Sequence, residues 1–179
     1  QPVGTAWDIG IGDSTVIWFY QFVVHKIRII NVLEGSGVGL DWYAKKLLAM
    51  DYVYADHIWP HDGAVKEWGS GKSRLETAAG YGLKPRVLDA DAVDDGIQAV
   101  RRLLPKCWFN LPAVKQGLDC LRNYRREYDE KRQVFFSRPL HDWSSHACDA
   151  MRYLSVGLQE IKTGQTAPQD IADNEYRII

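Results

Sequence analysis

Three β-rich runs joined by short turns open the 179-residue chain. They cover residues 4–9, Thr15–Val24 and Ile27–Leu33, and each is rich in β-branched or aromatic side chains. Turn residues at Gly10–Ser14 and at 25–26 separate the runs. Strands connected by such short turns pair antiparallel. The sequence therefore predicts a meander of three antiparallel strands at the start of the fold.

The rest of the chain alternates predicted helices and strands. Apolar side chains at helical spacing indicate a helix over Leu40–Met50, and a short strand over Tyr52–Trp59 follows it. A strand–helix–strand unit of this length favours a right-handed crossover to a parallel partner. The later predicted segments are a helix at 75–81, a strand at 86–88, a helix at 92–104, an extended piece at 107–109, a helix from Pro112 to about Glu130, a strand at 133–136 and a helix at 144–161.

This order of segments predicts an α/β fold. Its mixed central sheet has three antiparallel strands followed by parallel strands, and helices flank it. We expect one domain over residues 1–161, which is long enough to bury a core. Residues 162–179 are polar and are predicted to form a loose C-terminal tail. The chain begins with Gln and enters a strand almost at once, so we expect it to be a domain of a longer protein.

Charge and cysteine content bear on three questions: nucleic-acid binding, the redox compartment and membrane association. The net charge is −1, so the protein as a whole carries no strong field for nucleic acid, but residues 101–138 hold ten Lys/Arg against four acids, a local charge of +6. A phosphate-binding surface and a solvated helix face both explain such a segment. The three cysteines form no CxxC pair, which fits a reducing compartment. We find no signal peptide and no apolar run of about 18 residues, and expect no membrane partner.

The stretch 139–153 carries the densest set of chemically active side chains. Asp142 or Ser144 can cap a helix that begins near Ser145. His146 and Asp149 are three residues apart and therefore share a helix face. An imidazole and a carboxylate on one face form either a polar surface or part of a site.

Two isolated carboxylates at predicted strand ends favour a site. Asp8 lies near the end of the first strand among bulky apolar residues, where a charge is costly to bury unless it is paired or bound to a metal. Asp62 follows the strand that ends at Trp59, where parallel sheets present ligands. The alternative for Asp8 is a cap of the following turn.

Three gathered carboxylates repel one another unless divalent cations neutralise them, and hard oxygen ligands suit Mg²⁺ or Mn²⁺. Two such ions about 3.5–4 Å apart can activate a water and stabilise a leaving oxygen. The pattern therefore predicts hydrolysis of phosphodiester bonds in nucleic acid.

A Gly-Ser-Gly-Lys-Ser run at 69–73 is similar to a phosphate-binding loop, but the pattern is incomplete. Lys66 stands where the first glycine is required, and no apolar strand leads into the run. We interpret the segment as a basic loop with Lys66, Lys72 and Arg74. Contact with DNA phosphates and simple exposure to solvent both fit it.

Four motifs in chain order resemble the C-terminal nuclease domain of the large terminase subunit, the DNA-packaging motor of tailed bacteriophages. They are Trp7-Asp-Ile-Gly-Ile-Gly-Asp-Ser-Thr15, Trp59-Pro-His-Asp-Gly-Ala64, Gly71-Lys-Ser-Arg-Leu-Glu76 and Asp142-Trp-Ser-Ser-His-Ala-Cys-Asp-Ala-Met-Arg-Tyr153. The last motif is the most specific. The resemblance implies a ribonuclease H-like fold with Asp8, Asp62 and Asp149 as metal-binding acids. It also implies that His146 assists beside Asp149, and that Asp142 is an extra ligand or lies behind the ligands.

The same resemblance implies an activity and partners. The expected activity is divalent-metal-dependent endonuclease cleavage of concatemeric double-stranded DNA by two Mg²⁺ or Mn²⁺ ions, in the cytoplasm of the infected host cell. The implied partners are DNA, a small terminase subunit, a portal protein and an ATPase domain, whose Walker motif this chain lacks. Candidate duplex contacts are basic side chains: Lys66, Lys72, Arg74, Arg122, Arg125 and Arg126.

Two other functions fit the same residues. A ribonuclease H-like module could serve mainly in DNA docking or motor coupling, with weak cleavage and poor metal binding. A junction resolvase or transposase would need a dimer or further DNA-reading elements, for which the sequence gives no sign.

Overall fold

A computed structural model describes residues 1–10, 13–24, 26–65 and 71–163. The first three strands are β1 (Val3–Asp8), β2 (Ser14–Val23) and β3 (Lys26–Ser36). They pair antiparallel in this order, so the predicted meander is confirmed. β3 continues to Ser36, beyond its predicted end at Leu33, because its last residues still pair with the start of β2.

Helices and strands alternate from the end of the meander to the helix at Leu111–Asn123, as predicted, and two strands and a helix follow that helix. They are α1 (Leu40–Ala49), β4 (Tyr54–Trp59), a 3₁₀ helix (His61–Ala64), α2 (Arg74–Gly80), β5 (Pro85–Val87), α3 (Val93–Leu103), a 3₁₀ helix (Leu104–Lys106), β6 (Cys107–Phe109), α4 (Leu111–Asn123), β7 (Arg126–Asp129), β8 (Val134–Pro139) and α5 (Ser145–Thr163).

Within the described residues the main sheet has the strand order β5-β4-β1-β2-β3-β6. β4 and β5 run parallel to β1, and β6 runs parallel to β3. The predicted mixed α/β sheet is confirmed. Among the described helices, none is long and apolar enough to cross a membrane.

Both faces of this sheet are buried, which explains the nearly continuous apolar sequence of β2. Successive side chains of a strand point to opposite faces. Val16, Trp18 and Tyr20 therefore belong to one core cluster, which includes residues of α3, α4 and α5. Ile17 and Phe19 belong to the other, which includes residues of α1 and α2. The sheet is thus the middle layer of three.

Polar contacts fix α5 along the sheet. Trp18 of β2 donates its indole N–H to the carbonyl of Ala147, 2.8 Å away. Further along α5, Arg86 of β5 bonds Glu160 at 2.9 Å and Asp56 of β4 at 3.0 Å. The first turns of α5 therefore take a defined position at the edge of the sheet where β1 ends.

The segment after α4 differs from the prediction. The helix expected to reach about Glu130 ends at Asn123, and residues 126–139 form the β7–β8 hairpin. Contacts across the hairpin stabilise it: Tyr128 packs on Phe135, with ring centroids 4.9 Å apart, and Arg138 donates to Glu127 at 2.6 Å. A solvent-exposed helical turn offers no equivalent partners. At the C-terminal end, α5 reaches Thr163 and so includes the first two residues of the predicted tail 162–179, whose remaining residues lie outside the described ones.

Close packing between α4 and β2 gives a stability test. A Cβ at Gly117 would lie 2.2 Å from the ring of Trp18, while nothing lies within 4 Å of a Cβ at Gly80 of α2. We expect Gly117→Ala to lower the free energy of unfolding by about 1–3 kcal/mol because the indole must move. Gly80→Ala should leave it unchanged or slightly raised, since alanine favours helix. Urea unfolding of the two variants measures this difference. Equal stabilities would contradict the packing described.

Candidate active site

Two of the predicted acids lie at the same edge of the main sheet. β1 and β4 are parallel neighbours, with Ala6 opposite Ile58. Asp8 is the last residue of β1, and Asp62 lies in the 3₁₀ helix that follows β4. Because the ends of parallel neighbours meet at one edge, the two carboxylates share that edge although 54 positions in the sequence separate them.

The first turns of α5 bring the other predicted residues to Asp8. His146 Nδ1 lies 2.9 Å from Asp8 Oδ2, a hydrogen bond that joins α5 to the end of β1. Asp149 is three residues further along α5, and its negative charge contributes to raising the pKa of Asp8. The imidazole and the carboxylate on one helix face therefore both lie close to Asp8.

All three acids influence the ionisation of the Tyr153 phenol. Burial raises the pKa of Tyr153 to about 12; the positive charge of Arg152 lowers it, and the negative charges of Asp8, Asp149 and Asp62 each raise it. Electrostatic influence of this kind acts between groups that are near each other. All three predicted metal-binding acids therefore lie near enough to Tyr153 to influence its ionisation, and their joint binding of a metal stays a prediction.

The charged form of Asp8 is disfavoured by its surroundings. Its side chain is only 16% exposed. Burial raises its pKa above the usual range, the hydrogen bond from His146 lowers it, and the neighbouring Asp149 raises it again, with a net increase. The protein therefore holds a carboxylate where its charged form is disfavoured, as is common at functional sites.

Two buried arginines face the other acids. Arg152 donates from Nε to Asp149 at 3.0 Å, and its guanidinium stacks over Tyr153 at 5.1 Å. Arg74 Nη1 lies 3.7 Å from Asp62. These cations partly neutralise the group of Asp8, Asp62 and Asp149, which we call the acidic edge. Asp8 itself forms a hydrogen bond with an imidazole.

The site also contains side chains that the sequence did not single out. Asp13 Oδ2 lies 3.1 Å from His146 Nε2 and 3.5 Å from His141 Nε2. Arg152 could have been recognised, because it lies one helical turn beyond Asp149. Asp13 and His141 lie in loops, and no periodicity connects them.

Asp142 has contacts in the turn before α5. Its carboxylate accepts hydrogen bonds from the backbone N–H of Ser144 at 2.9 Å and from the Ser144 hydroxyl at 2.6 Å. It also pairs with Arg125 at 3.1 Å. These contacts order the turn that presents His146, which fits a supporting position behind the acids. A role in metal binding stays a prediction.

The predicted duplex contacts fall into three groups. Lys72, Arg122, Arg125 and Arg126 are exposed, although Arg122 pairs with Asp119 and Arg125 with Asp142. Arg74 is buried, with 5% of its surface exposed, and it faces Asp62. Lys66 lies outside the described residues. DNA contact by any of these side chains stays a prediction.

The acidic edge has the donor set that suits a divalent cation. Three carboxylates supply the hard oxygen ligands that Mg²⁺ and Mn²⁺ prefer. The disfavoured charge on Asp8 would be compensated by a cation there. The ligand types of Asp8, Asp62 and Asp149 therefore suit these ions, and metal binding by the three together stays a prediction.

No family model and no curated protein matches the chain by sequence. Solved structures match it by fold. The large terminase of a thermophilic bacteriophage superposes with a TM-score of 0.65 and 17% identity, over 89% of this chain and 40% of that protein. The chain has the fold of a phage large terminase nuclease domain.

Isolated terminase nuclease domains match over most of their length. The domain from bacteriophage SPP1, whose structure contains bound Mn, gives a TM-score of 0.59 at 17% identity and covers 86% of this chain and 84% of that one. The P22 domain gives 0.59 at 21% identity, over 88% and 81%. The chain thus spans 40% of the thermophilic phage's large terminase and over four fifths of these isolated domains.

The buried charge of Asp8 predicts a stability change. We expect Asp8→Asn to raise the melting temperature at pH 7 in EDTA by roughly 2–4 °C, or about 1 kcal/mol. The amide removes the disfavoured charge and keeps an oxygen that can accept the His146 hydrogen bond. Asp41→Asn is the control, because Asp41 is an exposed α1 residue whose side chain is 48% accessible, and it should change little. A lower melting temperature for Asp8→Asn would show that its surroundings stabilise the charge.

Proposed function

We propose that the chain is the metal-dependent endonuclease domain of a viral DNA-packaging terminase, which hydrolyses phosphodiester bonds of concatemeric double-stranded DNA. The observation that carries the proposal is the terminase nuclease fold, in which Asp8 ends β1 and bonds His146 of α5 while Asp62 follows the neighbouring strand. Mn bound to the SPP1 domain supports a metal site in this fold.

The three acids and His146 have different roles in the proposed site. Asp8, Asp62 and Asp149 would hold Mg²⁺ or Mn²⁺, in the two-ion arrangement implied by the resemblance. Such ions supply an activated water and neutralise charge on the leaving oxygen. His146 orients the Asp8 carboxylate through the 2.9 Å hydrogen bond between them.

Arg152 and Arg74 hold the carboxylates of Asp149 and Asp62 in place. Arg152 holds Oδ1 of Asp149, and its own position is fixed by burial and by stacking on Tyr153. Arg74 begins α2, whose capping box at Ser73 and Glu76 fixes the start of that helix near Asp62. Both arginines therefore limit the motion of carboxylates that must keep a set geometry.

The basic segment 101–138 is the proposed source of sequence-independent DNA affinity. It includes the end of α3, α4 and the β7–β8 hairpin. Exposed Lys and Arg that neutralise phosphates give affinity that falls steeply with salt. A small terminase subunit, a portal protein and an ATPase domain are proposed partners on the basis of the resemblance.

A second candidate function has a specific observation in its favour. Asp149 and Asp62 each face a buried guanidinium, and these cations compete with metal for the same carboxylates. A domain with this property could dock DNA or couple to a motor while binding metal poorly and cleaving weakly.

Cleavage of supercoiled plasmid by the purified chain separates the two functions. We expect nicking and linearisation with Mn²⁺ or Mg²⁺ and none with EDTA. Asp8→Asn and Asp149→Ala should abolish cleavage, because each removes a proposed metal ligand. His146→Ala should lower the rate about 10–100-fold, as is typical when the group that orients a ligand is lost.

The control is Asp41→Asn, which removes an exposed carboxylate of α1 and should cleave like the wild-type protein. Calorimetric titration with Mn²⁺ completes the experiment. Metal-dependent cleavage retained by Asp8→Asn would refute the assignment of Asp8 to the nuclease site. A folded wild-type protein that binds DNA but neither binds Mn²⁺ nor cleaves would support the docking function instead.

A further inference from the structure

A second group of side chains that could hold a metal lies on the outer side of His146. Asp13 precedes β2, His141 lies in the loop before α5, and His146 is in the first turn of α5. One ligand atom from each lies within 4.8 Å of the other two. His146 Nε2 and His141 Nε2 both approach Asp13 Oδ2, at 3.1 and 3.5 Å.

The second ring nitrogen of each histidine already has a partner. Ser145 Oγ donates its one proton to the carbonyl of Asp142 at 2.7 Å. Toward His141 Nδ1, 3.1 Å away, the hydroxyl must therefore accept, so this nitrogen carries the proton. His146 Nδ1 likewise faces an acceptor, the Asp8 carboxylate at 2.9 Å.

These contacts determine whether the two Nε2 atoms that face Asp13 carry a proton or a lone pair. In their neutral forms both imidazoles then carry the proton on Nδ1 and a lone pair on Nε2. Without an ion, protonation of His146 would let Nε2 donate to Asp13. In the neutral forms the two Nε2 lone pairs and an Asp13 oxygen are three acceptors that an ion can bind together. This is the arrangement that metal-binding histidines have, with the second nitrogen held by a carboxylate or another oxygen.

The spacing and the ligand types indicate which ion fits. Tetrahedral Zn²⁺ with ligands about 2.0–2.1 Å away places neighbouring ligand atoms about 3.4 Å apart. The two separations from Asp13 Oδ2, 3.1 and 3.5 Å, lie on either side of this value. Two imidazoles with one carboxylate favour Zn²⁺ and similar ions over Mg²⁺. We infer that Asp13, His141 and His146 form a binding site for Zn²⁺ or a similar borderline divalent cation.

The inferred site is separate from the acidic edge but adjoins it. Asp13 and His141 are exposed, with 52% and 71% of their side chains accessible, so water can complete the coordination and the ion can enter from solvent. Asp8 is not a ligand of the inferred site, since it bonds Nδ1 of His146, the ring nitrogen that faces away from the ion. The inference does not rest on nuclease activity, because binding can be measured without DNA.

Calorimetric titration with Zn²⁺ tests the inference. The protein carries no histidine tag, and millimolar Mg²⁺ is present to occupy the oxygen ligands of the acidic edge. We expect one equivalent of Zn²⁺ to bind. His141→Ala and Asp13→Asn should weaken binding roughly a hundredfold or more, since loss of even an outer partner costs about 10–100-fold. Co²⁺ in place of Zn²⁺ should give the visible absorption of a four-coordinate site in the wild-type protein only.

Two controls separate this site from its neighbours. His61→Ala removes another exposed imidazole and should bind Zn²⁺ normally. Asp149→Asn should also keep Zn²⁺ binding while it loses the Mn²⁺ binding expected of the proposed nuclease. Melting temperatures in EDTA verify that each variant is folded. Absence of Zn²⁺ binding by the wild-type protein, unchanged binding by His141→Ala, or loss of binding in Asp149→Asn would each overturn the inference.

Discussion

The burial of the Asp8 carboxylate beside Asp149, at the edge of the sheet where β1 ends, is the constraint on which the rest of the site depends. The fold places Asp8 and Asp62 after neighbouring strands and Asp149 on a helix near Asp8, and the charge of Asp149 disfavours the charged form of Asp8. Each acid consequently faces a positive or proton-donating group, which is His146, Arg74 or Arg152. Buried apolar residues that adjoin these acids, such as Trp7, Trp59 and Ala147, belong to the two cores and hold the elements that carry the acids.

The acids have two kinds of partner, guanidinium and imidazole, and the difference affects metal binding. A guanidinium is permanently charged, so Asp62 and Asp149 are partly neutralised at every working pH. Asp8 has an imidazole, which can donate one hydrogen bond without carrying a charge. Asp8 is the most buried of the three acids, and burial raises its pKa. A divalent cation at Asp8 would offset this cost.

Much of the fold and the core of the site could be predicted from sequence because short-range rules fix them. Turn residues set the meander, and the position of Asp8 and Asp62 after apolar runs placed them at strand ends. The β7–β8 hairpin was missed, since residues 124–130 are compatible with helix and the cross-strand contact of Tyr128 with Phe135 is invisible to local patterns. The burial of Arg74 was missed for a similar reason: its setting depends on Asp62 and on packing, not on its basic neighbours.

His146 connects the two parts of the site through its two nitrogens. Nδ1 faces Asp8 and Nε2 faces Asp13, so rotation of the ring would break both contacts. A cation bound through Nε2 would hold the proton on Nδ1, and this proton is the one that orients Asp8. Occupancy of the outer site would thereby favour the orientation of Asp8 that the acidic edge requires. The coupling acts through one side chain at the start of α5, whose position depends on the Trp18–Ala147 hydrogen bond and on the turn ordered by Asp142.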